Sequence, residues 1–250
     1  MRRFLRLLSL SLLLATAAMS SSLSAQTTAP AVEGAPVEKP AVRFNALIRE
    51  AQILQQRKRF LDALMKLEEA EKIDPARAEI HNIRGAIYLS SQMRDFDKAR
   101  SEFNKALEFE PEAMPARFNL GEADYVQGRY ADSEKAFAGV LEKFPKLPTP
   151  VRHMVLFKQI VCGLKQNKLA KAEQLMKDNF TFMDDTPAYY FCKAALALQQ
   201  KDEKTGNSWL RKAQVIFKKD DTSAYLDTLM EGRYLTSLAV AKPEEEDEKK

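Results

Sequence analysis

Glycine is scarce in this chain, eight in 250 residues, and none clusters into a loop of the kind that cradles phosphate. Cysteine and histidine are scarcer, two of each. Cys162 and Cys192 lack metal-ligand spacing, and His81 and His153 stand far apart, so no metal or cofactor is implied. No nucleophile motif and no defensible pair of catalytic carboxylates occurs, which argues against an enzyme. A surplus of one charge is also missing. Arg2, Arg3 and Arg6 lie in a segment expected to be removed; taking these three from the 39 basic residues leaves 36 against 35 acidic. No basic stripe points to nucleic acid. The one long apolar run, Leu7 to Ala18, is shorter than the ~20 residues that span a bilayer.

What remains is rich in Ala, Leu, Lys and Glu, a composition that favours helix over sheet. Residues 1–25 have the parts of a secretory signal peptide: a basic start, an apolar centre and a small, polar end before Gln26. An uncleaved N-terminal anchor is the competing reading of this segment. No cysteine follows the apolar run to take a lipid. Residues 26–42, with Pro30, Gly34, Pro36 and Pro40 among Ala, Val and Thr, read as a flexible linker.

The order small, aromatic, small, aromatic, small, proline then appears in Gly85, Tyr88, Ala99, Phe103, Ala106 and Pro111. It returns in Gly121, Tyr125, Gly128, Tyr130, Phe137 and Pro145. A period of about 34 residues written on paired amphipathic segments is the mark of a helix-turn-helix repeat array. The chain thereby resembles the tetratricopeptide repeat family. Five repeats are expected, at 44–77, 78–113, 114–147, 153–186 and 187–220. The second carries two extra residues in the turn between Ser90 and Asp95. Residues 222–241 read as a capping helix, and 242–250 as an acidic, solvated tail. The fold class expected is all-α: a solenoid of antiparallel helix pairs wound into a right-handed superhelix.

The resemblance implies a concave groove lined by the first helix of each repeat. By the family's pattern its N-terminal, more polar half has Asn45, Ile48 and Gln52, then Asn82, Ala86 and Leu89. Its later half, apolar apart from Glu122, has Phe118, Glu122, Tyr125, Met154, Phe157, Val161, Leu164, Phe191 and Leu198. Such a stripe is either a docking surface for a peptide or helix, or it is filled by the protein itself, through the C-terminal helix, superhelical curvature or a second copy. The family's chaperone-binding clamp is absent, since Ile48 and Gln52 stand where its Lys and Asn would be. Cys162 and Cys192 fall on the first helices of neighbouring repeats. Either they form a disulfide, which an oxidising compartment permits, or they are buried free thiols. Trp209 and the Tyr189–Tyr190 pair are expected to be packing residues.

The function expected is a non-catalytic adaptor that binds a protein or peptide, exported to the periplasm or cell envelope. Secretion, self-association into a homo-oligomer, and service as an accessory subunit of an envelope enzyme are the rivals.

Overall fold

The computed structural model describes residues 39–235. The expected signal peptide, most of the linker, residues 236–241 of the capping helix and the acidic tail lie outside the described residues.

Eleven helices and no strand occur among the described residues. Ten of them form five antiparallel pairs: α1 (Pro40–Gln56) with α2 (Phe60–Glu71), α3 (Ala78–Leu89) with α4 (Phe96–Phe109), α5 (Met114–Val126) with α6 (Tyr130–Lys143), α7 (Thr149–Lys165) with α8 (Leu169–Asn179), and α9 (Ala188–Gln199) with α10 (Glu203–Ile216). A last helix, α11 (Lys219–Glu231), follows across a two-residue link. Two expected boundaries are corrected. The linker does not reach residue 42, because α1 already begins at Pro40. A proline suits the first helical turn, where its missing N–H would have had no partner. The last helix starts earlier than 222 and ends at Glu231, where Gly232 and Arg233 turn the chain.

The second and third pairs cross where a small residue meets a large one. Phe103 of α4 packs on Gly85 of α3: a Cβ on Gly85 would lie 2.5 Å from the ring. Phe137 of α6 does the same to Gly121 of α5, at 2.9 Å. A side chain at either glycine would separate the axes, since ridge-into-groove packing tolerates little extra volume. Ser133, also small and fully buried, donates its hydroxyl to the Gly121 carbonyl at 2.8 Å. Alanines 51, 63, 99, 106, 123 and 213 are likewise small and fully buried.

The turns share one device. Lys58, Arg94, Gly128, Asn167 and Lys201 each adopt a left-handed backbone, with φ of 59°, 45°, 75°, 60° and 64°. The next N–H reaches back into the helix just ended, as in Arg129 to the Asp124 carbonyl and Lys168 to the Gly163 carbonyl, both near the pattern that closes helices generally. Residues 90–95 form the longest of these turns, and Asp95 there caps α4 by accepting from the Lys98 N–H at 3.1 Å.

Partly buried charges tie helices together, both within pairs and between neighbouring ones. Arg84 bonds Glu71 at 2.6 Å, and Glu102 reaches His81 at 2.8 Å. Asp124 is held by Arg129 at 2.7 Å and by Arg100. Glu134 of α6 receives Lys168 at 2.8 Å, Lys171 at 2.9 Å and Gln166 at 2.8 Å, all from the turn after α7 and the start of α8. Burial alone would raise the Glu134 pKa; these three donors overcome it and hold the carboxyl at about 2.

The left-handed turns and the Glu134 clamp can each be probed by substitution. A Cβ added at Gly128 would have no neighbour within 4 Å, so Gly128→Ala meets backbone strain alone and should lower stability by about 1 kcal/mol. Lys201→Gly relieves the same strain and should raise stability by a few tenths of a kcal/mol in urea titrations. An unfolded glutamate titrates near about 4.3. The Glu134 contribution is therefore full above that pH and is lost as pH falls toward about 2. Glu134→Gln should destabilise at neutral pH, and its difference from the parent in urea titrations should vanish at the acidic end.

Candidate docking groove

The first helices of the pairs, α1, α3, α5, α7 and α9, stand side by side and form the inner face. Asn119 of α5 donates to Asn82 of α3 at 2.9 Å, and Lys158 of α7 donates to Glu122 of α5 at 2.5 Å. These cross-links fix neighbouring helices in one register. Toward the N-terminus the face is partly open: Asn45 is exposed, Gln52, Asn82, Ala86 and Leu89 are half-buried, and Ile48 is buried.

The apolar half is not open. Phe118, Tyr125, Met154, Phe157, Val161, Leu164 and Phe191 are all buried; Glu122 and Leu198 keep partial exposure. Against them lies α11. Tyr225 places its ring 5.0 Å from Phe157 and 5.1 Å from Phe191. Tyr125 donates its hydroxyl to the Thr228 carbonyl at 2.7 Å. Glu231 pairs with Arg94, in the turn between α3 and α4, at 2.8 Å. Beyond the helix, Tyr234 donates to Gln199 at 2.7 Å and lies under the Lys165 ammonium, 4.1 Å from its ring centre. A helix belonging to the end of the array thus touches all four pairs from the second to the fifth. The expected docking residues of this half lie in a core shared with α11 rather than on a free surface. Leu198 also packs within its own pair, against Gly206 of α10.

Lys158 is the charged residue most deeply set in this face. It is 5% exposed and lies 5.4 Å from the Tyr125 ring centre as well as on Glu122. A cation in the run from Met154 to Leu164, broken otherwise only by Gln159, was the available signal for it in the sequence. Polar satisfaction under α11 is incomplete. The second oxygen of Glu122 is buried without a hydrogen bond. Thr186 lies beside the Tyr225 hydroxyl, the polar group nearest to it in this bed. Asp227 sits at the rim. Desolvation raises its carboxyl pKa, Lys158 and Lys58 pull it down, and Glu231 adds to the rise.

Cys162 and Cys192 are free and buried, so the disulfide alternative is corrected. Cys162 turns toward α6 and donates to the Ser133 hydroxyl at 3.3 Å, and burial pushes its thiol up to about 12. Burial raises the Cys192 thiol as well. His81, far from His153 in the sequence, has Glu102 upon it and Phe109 stacked 5.3 Å away. It serves the packing between α3 and α4. His153 bonds Thr186 at 2.8 Å, and burial lowers its pKa. Tyr189, Tyr190 and Trp209 pack ring against ring, and Phe217 joins them through Tyr190. No group of three or more potential metal ligands occurs among the described residues, and no described helix is long and apolar enough to cross a membrane.

Comparison with known proteins agrees with this geometry. Residues 91–148 and 118–178 match the tetratricopeptide repeat family model. Among curated proteins no sequence match is found. Of solved structures, a tetratricopeptide repeat protein from Parabacteroides merdae is similar at 20% identity with TM-score 0.57, covering 75% of this chain and 71% of that one. PilW, described as a widely conserved type IV pilus biogenesis factor, is similar at 21% identity with TM-score 0.57, covering 76% and 88%. Pseudomonas aeruginosa PilF gives 19% identity and TM-score 0.55, covering 78% and 96%. At these identities the likeness is one of fold.

Because Phe157 and Phe191 are fully buried, truncating either should cost about 3–5 kcal/mol. Phe157→Ala with Phe191→Ala should chiefly lower the melting temperature in circular dichroism, which distinguishes core residues from free anchors.

Proposed function

From a tetratricopeptide-type solenoid whose inner face is already shaped around a helix, we propose that this chain is a non-catalytic protein–protein interaction scaffold. It docks a partner peptide or helix along the concave face. The observation that carries this reading is α11 itself, whose Tyr225 is seated between Phe157 and Phe191. Helix-in-groove recognition uses the same physics, an aromatic or aliphatic anchor entering an apolar bed. The open N-terminal positions give a partner additional length to run along. Ionisable side chains of the face are engaged in ion pairs, as Lys158 with Glu122 and Arg94 with Glu231, which favours binding over acid–base chemistry.

The basic and apolar N-terminal segment supports an envelope setting, with the array outside the cytoplasm in the periplasm. There the scaffold would hold components of an assembly together.

A photo-crosslinking residue placed at Asn45 or Ala86, on the inner face, should capture a discrete partner from the native envelope. The same residue at Asn104, exposed on α4, should not. Equal capture at all three positions, or none, overturns the reading.

A further inference from the structure

The helix α11 has features of a ligand as well as of a structural element. It is joined to α10 only by Phe217 and Lys218, both in extended backbone. Phe217 holds its end of this link against Tyr190, which leaves Lys218 as the pivot. The buried residues of α11 are few, and two of the five are polar: Thr222, Tyr225, Leu226, Thr228 and Leu229. Both threonines return their hydroxyl bonds to carbonyls of their own helix, Thr228 to Ala224 at 2.8 Å and Thr222 to Lys219 at 3.1 Å. In the face beside α11 one oxygen of Glu122 is buried without a hydrogen bond. An unsatisfied group of this kind weakens the hold of the helix on its bed. A partner that satisfied it would compete on favourable terms.

The charges indicate what that partner looks like. The acidic flank of α11 carries Asp227 and Glu231, one helical turn apart. Glu231 pairs directly with Arg94 of an earlier repeat. The apolar flank, Tyr225 and Leu229, one helical turn apart, faces the aromatic bed.

We propose that α11 is a resident, displaceable occupant of the groove, and that the partner which replaces it is an acidic amphipathic helix of the same pattern. That pattern is an aromatic anchor, a leucine four positions on, and carboxylates two and six positions after the aromatic. The proposal rests on the scaffold reading above and adds to it the occupant, its chemistry and a gate. A partner helix longer than α11 would continue onto the open positions around Asn82 and Ala86.

Two measurements on the full chain test this. In native-state hydrogen exchange at increasing urea, the amides of α11 should open at lower urea than those of α7 and α9. A labelled synthetic peptide of residues 217–235 should bind full-length Asp227→Lys/Glu231→Lys chain at least tenfold more tightly than the parent chain, by fluorescence anisotropy. The same peptide carrying both lysines should bind at least tenfold more weakly than the unaltered peptide. The proposal is overturned if α11 exchanges only together with α7 and α9, if the reversed chain melts as a whole, or if a folded reversed chain ignores the peptide. It is also overturned if light scattering shows the reversed chain as a dimer exchanging α11 between copies. Should α11 prove fixed while Asn45 and Ala86 still capture a partner, the gate falls and the scaffold stands. Should the peptide bind while those positions capture nothing, the converse holds.

Discussion

The close approach of two helices within a pair depends on one side chain being absent where another is large. Phe103 occupies the space that a Cβ on Gly85 would claim, and Phe137 that of Gly121. With the ring set there, the pair has one crossing geometry. Successive pairs keep it with small residues of their own, so the first helices are brought into a row. The row is what makes a continuous inner face, and the face is what gives α11 a bed. Altering the crossing would therefore misalign side chains far away, such as Phe157, which never touches the glycines.

The inner face divides into two regimes. Its N-terminal half meets water with amides and short apolar side chains, and is held by hydrogen bonds such as Asn119 to Asn82. Its C-terminal half excludes water, and there even a lysine is buried, tolerated because Glu122 lies against it. Breaking a pair in such a place strands the surviving charge, at a cost of about 3–5 kcal/mol. Lys158 and Glu122 thus fix the register of α5 against α7 beneath the cover that α11 provides. The two regimes meet where Arg94 reaches Glu231, joining a turn of the second pair to the last described helix.

The helix pairs were legible in sequence because their determinants recur locally: Gly85 and Phe103, then Gly121 and Phe137, each within one period. Pro40 misled because a proline after a breaker-rich stretch resembles linker, although the same residue suits a first helical turn. His81 looked solitary because its partner lies 21 residues away. The Gly85–Phe103 crossing would have placed Glu102 beside it. What could not be read was the course of α11. Its stripe was visible, and a fold-back was one of the readings left open. The bond from Tyr125 to Thr228, however, spans 103 residues, and nothing local announces it. The groove residues were identified by pattern, but whether they faced solvent depended on this one long-range choice.

Order along the chain gives α11 a further meaning. It is the most C-terminal of the described helices, and every residue of its bed precedes it. Synthesis, at about 5–20 residues per second, delivers the chain from its N-terminal end, and passage of an unfolded chain across a membrane from that end keeps the same order. The five pairs can therefore assemble before their cover emerges. Each molecule passes through an interval, on the order of seconds, when the aromatic bed is exposed and unclaimed. On the proposed reading, a partner present at that moment meets no competitor, and one arriving later must wait for the pivot at Lys218 to open. The position of a single helix late in the sequence would then turn a binding equilibrium into a matter of timing.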